Sequence, residues 1–145
     1  ELGAELLQHQ LHEAGCDADV HLLKDVYSYS HIDTTVAFLR EGLILANPSR
    51  LKDKDQLPGP FKNWDVIYCP EAIDIGSYPG YNNMSVWANM NLFSINPGLV
   101  ALEEHQEPTR KLLESHGIEC AMLPMRHQRT LSGGYHCVTL DLERE

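Results

Sequence analysis

Basic residues are scarce in this chain. Its 145 residues hold 11 Lys and Arg against 21 Asp and Glu, for a net charge of −10 and a pI near 5.1. That balance argues against nucleic acid and against anionic membranes as partners, since both recruit basic patches. It leaves a small-molecule site open, because local charge governs such a site. Apolar runs are short, and none approaches the roughly 18 residues that a membrane helix needs. Cysteines at metal or redox spacing are missing as well: Cys16, Cys69, Cys120 and Cys137 form no C-x-x-C pair. With no secretory leader in view, the thiols are expected to be free and the compartment reducing, hence cytoplasmic. The chain also has no initiator Met and opens inside a helical pattern, which reads as a piece of something longer.

What is present is ordinary globular composition, 43% hydrophobic and 22% charged, enough for one modest core. Leu6, Leu7 and Leu11 recur at near-helical spacing, and Gly15 follows as a stop. A short buried strand is expected over 20–23. From His31 the chain alternates into Val36 and Phe38, turns at Arg40-Glu41-Gly42 and is answered by Leu43-Ile44-Leu45, the pattern of an antiparallel hairpin. Asn47-Pro48-Ser49-Arg50 ends it. Residues 51–60 read as a short helix or loop, 66–69 as a buried strand, and the Gly-, Pro- and Asn-rich 73–83 as a loop. A second hairpin follows over 89–95 and 99–102, around Asn96-Pro97-Gly98. Then come a helix from Pro108 to a stop at Gly117 and a strand over 118–123.

The turn glycines Gly42 and Gly98 are 56 residues apart (98 − 42), so one unit of strand, turn, strand, helix and strand occurs twice. A third copy begins near the end, at an offset of 104 (145 − 41). These offsets put Asp33, Asn89 and Cys137 at one equivalent place, the start of a unit's first strand. Repeats of this length suggest modules arrayed about an axis, with strand starts converging near it.

Two stretches carry chemistry. In His31-Ile32-Asp33-Thr34-Thr35 the imidazole and the carboxylate stand two residues apart; on a strand they leave the same face, a pairing suited to acid/base work. Taken alone it is equally a solvated surface pair. In Ser132-Gly133-Gly134-Tyr135-His136-Cys137 adjacent glycines lead into a cysteine that opens an alternating pattern. Taken alone this is a Gly-rich turn before a buried Cys; beside an imidazole, Cys137 becomes a candidate nucleophile. His136, next to it on a strand, would face the other way. His31 and Asp33 supply two metal ligands with no spaced third, so no metal is expected. Trp64 and Trp87 are assigned to the core. The remaining histidines are assigned to surface or packing positions, and the acidic pair Glu103-Glu104 to the surface.

His-Ile-Asp-Thr-Thr at 31–35, Asn-Pro-Ser-Arg at 47–50, Trp-x-x-Met-Asn at 87–91 and Gly-Gly-Tyr-His-Cys at 133–137, in that order, resemble the amidinotransferase family. Its branches make glycine-derived, inosamine-phosphate-derived and cyanobacterial-toxin products. The spacing of 106 residues from His31 to Cys137 (137 − 31) is close to the family's. The resemblance implies an α/β fold, part of a five-module pseudo-symmetric α/β-propeller, with residues 1–145 forming the C-terminal part of that single domain. It implies transfer of the amidino group of L-arginine to an acceptor amine through a covalent amidino-cysteine, with ornithine released and no cofactor. Cys137 would be the nucleophile, His31 the proton carrier and Asp33 the guanidinium anchor. Arg50 would take the substrate carboxylate and Ser85 would line the site. Ser28 and Ser30 stand where the family has Asn and Met beside the acceptor pocket, which suggests a roomier, more polar pocket and the natural-product branch. Ser132 replaces the first of three family glycines. The resemblance also allows a full-length homodimer.

It places the partner Asp of the catalytic His well upstream of the thirty residues before His31. The isolated chain is therefore expected to be inactive or to need the rest in trans. Two alternatives stay open: a guanidino hydrolase of the arginine deiminase type, and a non-catalytic propeller piece.

Overall fold

A computed structural model describes residues 1–24, 26, 31–76, 81–83 and 85–142. Two three-stranded sheets form the body. In the first, β1 (Val36–Arg40) pairs antiparallel with β2 (Leu43–Ala46), which pairs parallel with β3 (Asp65–Tyr68). In the second, β4 (Phe93–Asn96) pairs antiparallel with β5 (Leu99–Glu103), which pairs parallel with β6 (Glu119–Leu123). The 56-residue repeat holds in register: Phe38 faces Ile44 as Ser94 faces Val100. A 3-10 turn precedes each hairpin at the same offset, Ile32–Thr34 in the first unit and Ala88–Met90 in the second, and the two turns pack together. Gly42 supplies the positive φ, +81°, that turns the first hairpin.

The central strand β2 is buried throughout and reads as an unbroken apolar run, as a strand covered on both faces must. Its period of two divides the core. Leu43 and Leu45 pack with Leu92, Val100, Leu102, Leu113 and Ile118, joining the two sheets. Ile44 and Ala46 face the other way, onto Val26, Leu51 and Leu57.

The parallel crossover of the second unit runs through helix α2 (Glu107–Ser115), with Pro108 in its first turn and Leu113 fully buried. In the first unit the same crossover is made by two 3-10 turns, Lys54–Gln56 and Gly59–Phe61, rather than a helix. The N-terminal helix α1 (Leu2–Glu13) buries no residue; it is tied down by Gln8, whose amide donates to the Ala18 carbonyl and accepts from the Val20 N–H. That tie replaces the strand expected over 20–23, where no strand forms and Leu22 is exposed. Trp64 and Trp87 are half-buried. Glu103 is 2% exposed, contrary to the surface expectation, because the His105 N–H, the His105 ring and the Gln106 amide all engage its carboxylate.

Candidate active site

Four chain segments meet at one cleft of about 180 Å³. The first 3-10 turn brings His31, Asp33 and Thr34; the loop after β2 brings Arg50; the segment around the second 3-10 turn brings Ser85 and Asn91. The fourth segment is the loop that follows a one-turn helix, α3 (Gln128–Leu131), and it carries Ser132, Gly133 and Cys137. His31, Asp33, Arg50, Ser85 and Cys137, chosen from sequence, thus line one cavity. Ser28 and Ser30 lie outside the described residues.

The local conformations differ from expectation at both chemical motifs. Residues 31–35 do not form a strand: His31 is extended and Asp33 sits within the 3-10 turn. Cys137 lies in a turn, and it is exposed. His136 therefore does not point away from the site; its Nδ1 stands 3.3 Å from Asp33 Oδ2.

Asp33 is the point of contact between the segments, with its side chain 12% exposed. Its Oδ2 accepts from Asn91 Nδ2 at 2.8 Å and from the Cys137 thiol at 3.5 Å. Its Oδ1 is buried and has no partner among the described residues. A buried carboxylate oxygen without a donor is costly, and a cationic ligand would satisfy it. Arg50 is held by two hydroxyls, its Nη1 donating to Thr34 and Thr35 Oγ1 at 2.9 Å each. This leaves the rest of its planar fork for an anion such as a carboxylate.

Asn91 was legible only as part of a motif, with no role attached. It is 3% exposed. Its Oδ1 accepts from the Gly134 and Cys137 N–H groups at 2.9 and 3.1 Å, and its Nδ2 also reaches Cys137 Sγ at 3.0 Å. The cysteine loop is anchored upstream through α3: Gln128 donates to the Ala88 carbonyl, and Arg129 pairs with Asp74 at 2.8 Å. The loop backbone is unusual at Ser132, where φ is +60°, the one positive φ outside glycine among the described residues.

Away from the chemistry, burial pushes the Cys69 thiol up to about 12 and Cys120 up to about 11. Among the described residues, Glu103, Glu104 and His105 alone bring metal-type ligand atoms together, within 4.8 Å. Both Glu103 oxygens are already engaged by His105 and Gln106.

No family model matches the chain. Solved structures of dimethylarginine dimethylaminohydrolase and of an agmatine deiminase from C. jejuni superpose with TM-scores of 0.62, cover 93% and 92% of the chain, and share 18% identity with it. At that identity they show a shared fold and nothing more. Far nearer is the inosamine-phosphate amidinotransferase of Streptomyces griseus, with a TM-score of 0.86, 39% identity and 99% of the chain covered against 40% of that structure. SxtG, an amidinotransferase of saxitoxin biosynthesis from Microseira wollei, gives the same TM-score at 31% identity, covering 99% of the chain and 41% of that structure. Among curated proteins, inosamine-phosphate amidinotransferase 1 of Streptomyces glaucescens is 41% identical over 144 residues, 99% of the chain and 40% of the relative. The L-arginine:L-lysine amidinotransferase of Pseudomonas savastanoi pv. phaseolicola is 34% identical over 146 residues, 99% of the chain and 38% of the relative.

In sequence and in fold the chain is a relative of the amidinotransferases along its whole length. It spans about 40% of the length of these curated relatives. No described helix is long and apolar enough to cross a membrane.

Proposed function

We propose that the chain carries the cysteine-bearing part of an amidinotransferase site that takes the amidino group from L-arginine and passes it to an acceptor amine. The observation that supports this most directly is the contact of Cys137 with Asp33, whose second carboxylate oxygen is buried and has no partner among the described residues. A guanidinium seated there presents its central carbon to the thiolate and satisfies that oxygen.

In the first half-reaction the Cys137 thiolate attacks the guanidinium carbon of arginine. The bond from that carbon to the side-chain nitrogen breaks, His31 gives that nitrogen a proton, and ornithine leaves. An amidino group remains on sulfur. In the second, an acceptor amine attacks the amidino carbon, His31 takes the amine's proton, and the thiolate departs. Arg50 meets the substrate carboxylate. Ser28 and Ser30, standing where the family has Asn and Met, lead us to read the acceptor as the amine of a natural-product precursor, and Ser85 is a further residue of the site. The five-module ring, the dimer and a cytoplasmic setting belong to the same reading, with this chain as one part of the ring.

The test is intact-mass spectrometry of the chain and of Cys137→Ala after incubation with L-arginine, with amino-acid analysis of the supernatant. With the rest of the ring supplied in trans, an amidino adduct on the parent chain and none on Cys137→Ala, with ornithine released, is the expected result; the chain by itself is expected to give neither. Citrulline in place of ornithine would assign a hydrolase, and the absence of both adduct and product with the rest of the ring present would overturn the reading.

A further inference from the structure

We propose that Asn91 is the positioning residue of the cysteine, holding its sulfur and its loop at once against Asp33. The inference rests on Cys137 being the nucleophile of the site. One side chain makes four short contacts there: Oδ1 with the N–H groups of Gly134 and Cys137, Nδ2 with Asp33 Oδ2 and Cys137 Sγ. The orientation of the amide is unambiguous, since two backbone donors require the oxygen on their side.

The division of labour follows from the chemistry of the two ends. The oxygen fixes where the loop runs, because two N–H groups three residues apart converge on it. The nitrogen then lies between two groups that would both be anions in a reacting site, the carboxylate and the thiolate. Donating to both, it offsets their repulsion and favours the ionised sulfur. The fit is close on the backbone side as well: a Cβ built on Gly134 would stand 2.2 Å from the Asn91 carbonyl oxygen and 2.7 Å from Oδ1. Only glycine lets the loop approach this side chain.

The repeat gives the position a structural history within the chain. Asn91 is the residue 56 after Thr35 (91 − 35), the residue that leaves the first 3-10 turn and holds Arg50. The two equivalent positions thus each steady a cleft residue.

The experiment is the pH dependence of iodoacetamide alkylation at Cys137, read by peptide mass mapping on the whole chain and on Asn91→Ala, with exposed Cys16 as internal reference. At pH 7 the reactive fraction of Cys137 is expected to fall about tenfold, the size of one charge-assisted hydrogen bond. The profile should move to higher pH, with Cys16 unchanged. A Cys137 profile that superposes on the parent's would overturn the proposal. Should Asn91→Ala not fold, the parent chain decides: the side-chain amide resonance of Asn91 must titrate with Cys137 and cease to do so in Cys137→Ser. An amide that ignores the cysteine overturns it too. Iodoacetamide asks nothing of arginine, so failure of the transferase reading would appear only in the arginine experiment.

Discussion

Gly134 and Asn91 fit so closely that no side chain can be added at the glycine: its Cβ would lie 2.2 Å from the Asn91 carbonyl oxygen and 2.7 Å from the Asn91 Cβ. The obstacle is largely backbone, so it cannot rotate away. Gly134→Ala is expected to cost about 1–3 kcal/mol, in the range of an overpacked core, and to push the cysteine loop off Asn91. Urea unfolding should show the loss, and iodoacetamide labelling of Cys137 at pH 7 should slow. Gly133 offers a comparison, since a Cβ there meets only the Cys137 side chain, at 3.3 Å. Gly133→Ala should be milder in both readouts.

Ser132 stands at φ +60° where glycine would be at ease. A non-glycine residue in such a region carries about 1–3 kcal/mol of strain, against about 0.5–1 kcal/mol that glycine forfeits in chain entropy. Ser132→Gly is therefore expected to raise stability, by about 2.5 kcal/mol at most, and Ser132→Val, β-branched at positive φ, to lower it. Opposite shifts in the urea midpoints of the two variants would bear this out; equal shifts would refute it.

The repeated unit was legible because hairpin alternation and turn glycines are local signals, and the structure repeats them in register. The two chemical motifs were misread for a related reason. His-Ile-Asp-Thr alternates polar and apolar as a strand does, yet the segment is a 3-10 turn, because the ladder of β1 begins only at Val36, opposite Ala46. Residues 138–142 alternate as well, but Val138, Leu140 and Leu142 are 67, 81 and 90% exposed and pair with no strand among the described residues. Alternation marks a strand only where a neighbour completes its hydrogen bonds. The role of Asn91 depends on contacts with residues 58 and 46 positions away, which no local pattern encodes. Glu103 looked like half of a surface pair because nothing in the acidic run signals that His105 and Gln106 engage its carboxylate.

That buried carboxylate gives a pH signature. His105 has its pKa raised, first by its hydrogen bond to Glu103 and then by the charge of Glu103. A histidine whose folded pKa exceeds its unfolded one stabilises the fold fully below about 6.5, the unfolded value, and less as pH rises through the folded value. Urea midpoints are expected to decline as pH is raised above 6.5, with part of that decline removed in His105→Gln. A parent and variant that decline in parallel would exclude the pair as the cause.

The anchor role of Asp33 can be isolated from catalysis with two electrophiles of one shape, cationic chloroacetamidine and neutral chloroacetamide. Both alkylate sulfur by displacing chloride, and they differ in the amidinium that Asp33 would hold. Asp33 Oδ1 is buried beside Cys137 without a partner among the described residues, so the cation should label Cys137 faster, while Cys16, exposed and remote from the cleft, should show only the reagents' intrinsic difference. Cys69 should resist both, since burial holds its thiol near 12. In Asp33→Asn the charge is lost with little change of shape, and the preference at Cys137 should fall about tenfold, the worth of one charge-assisted pair. Equal preference at Cys137 and Cys16 in the parent chain would mean that the carboxylate does not recruit the cation. A preference that survives Asp33→Asn would move the anchor to another residue of the cleft.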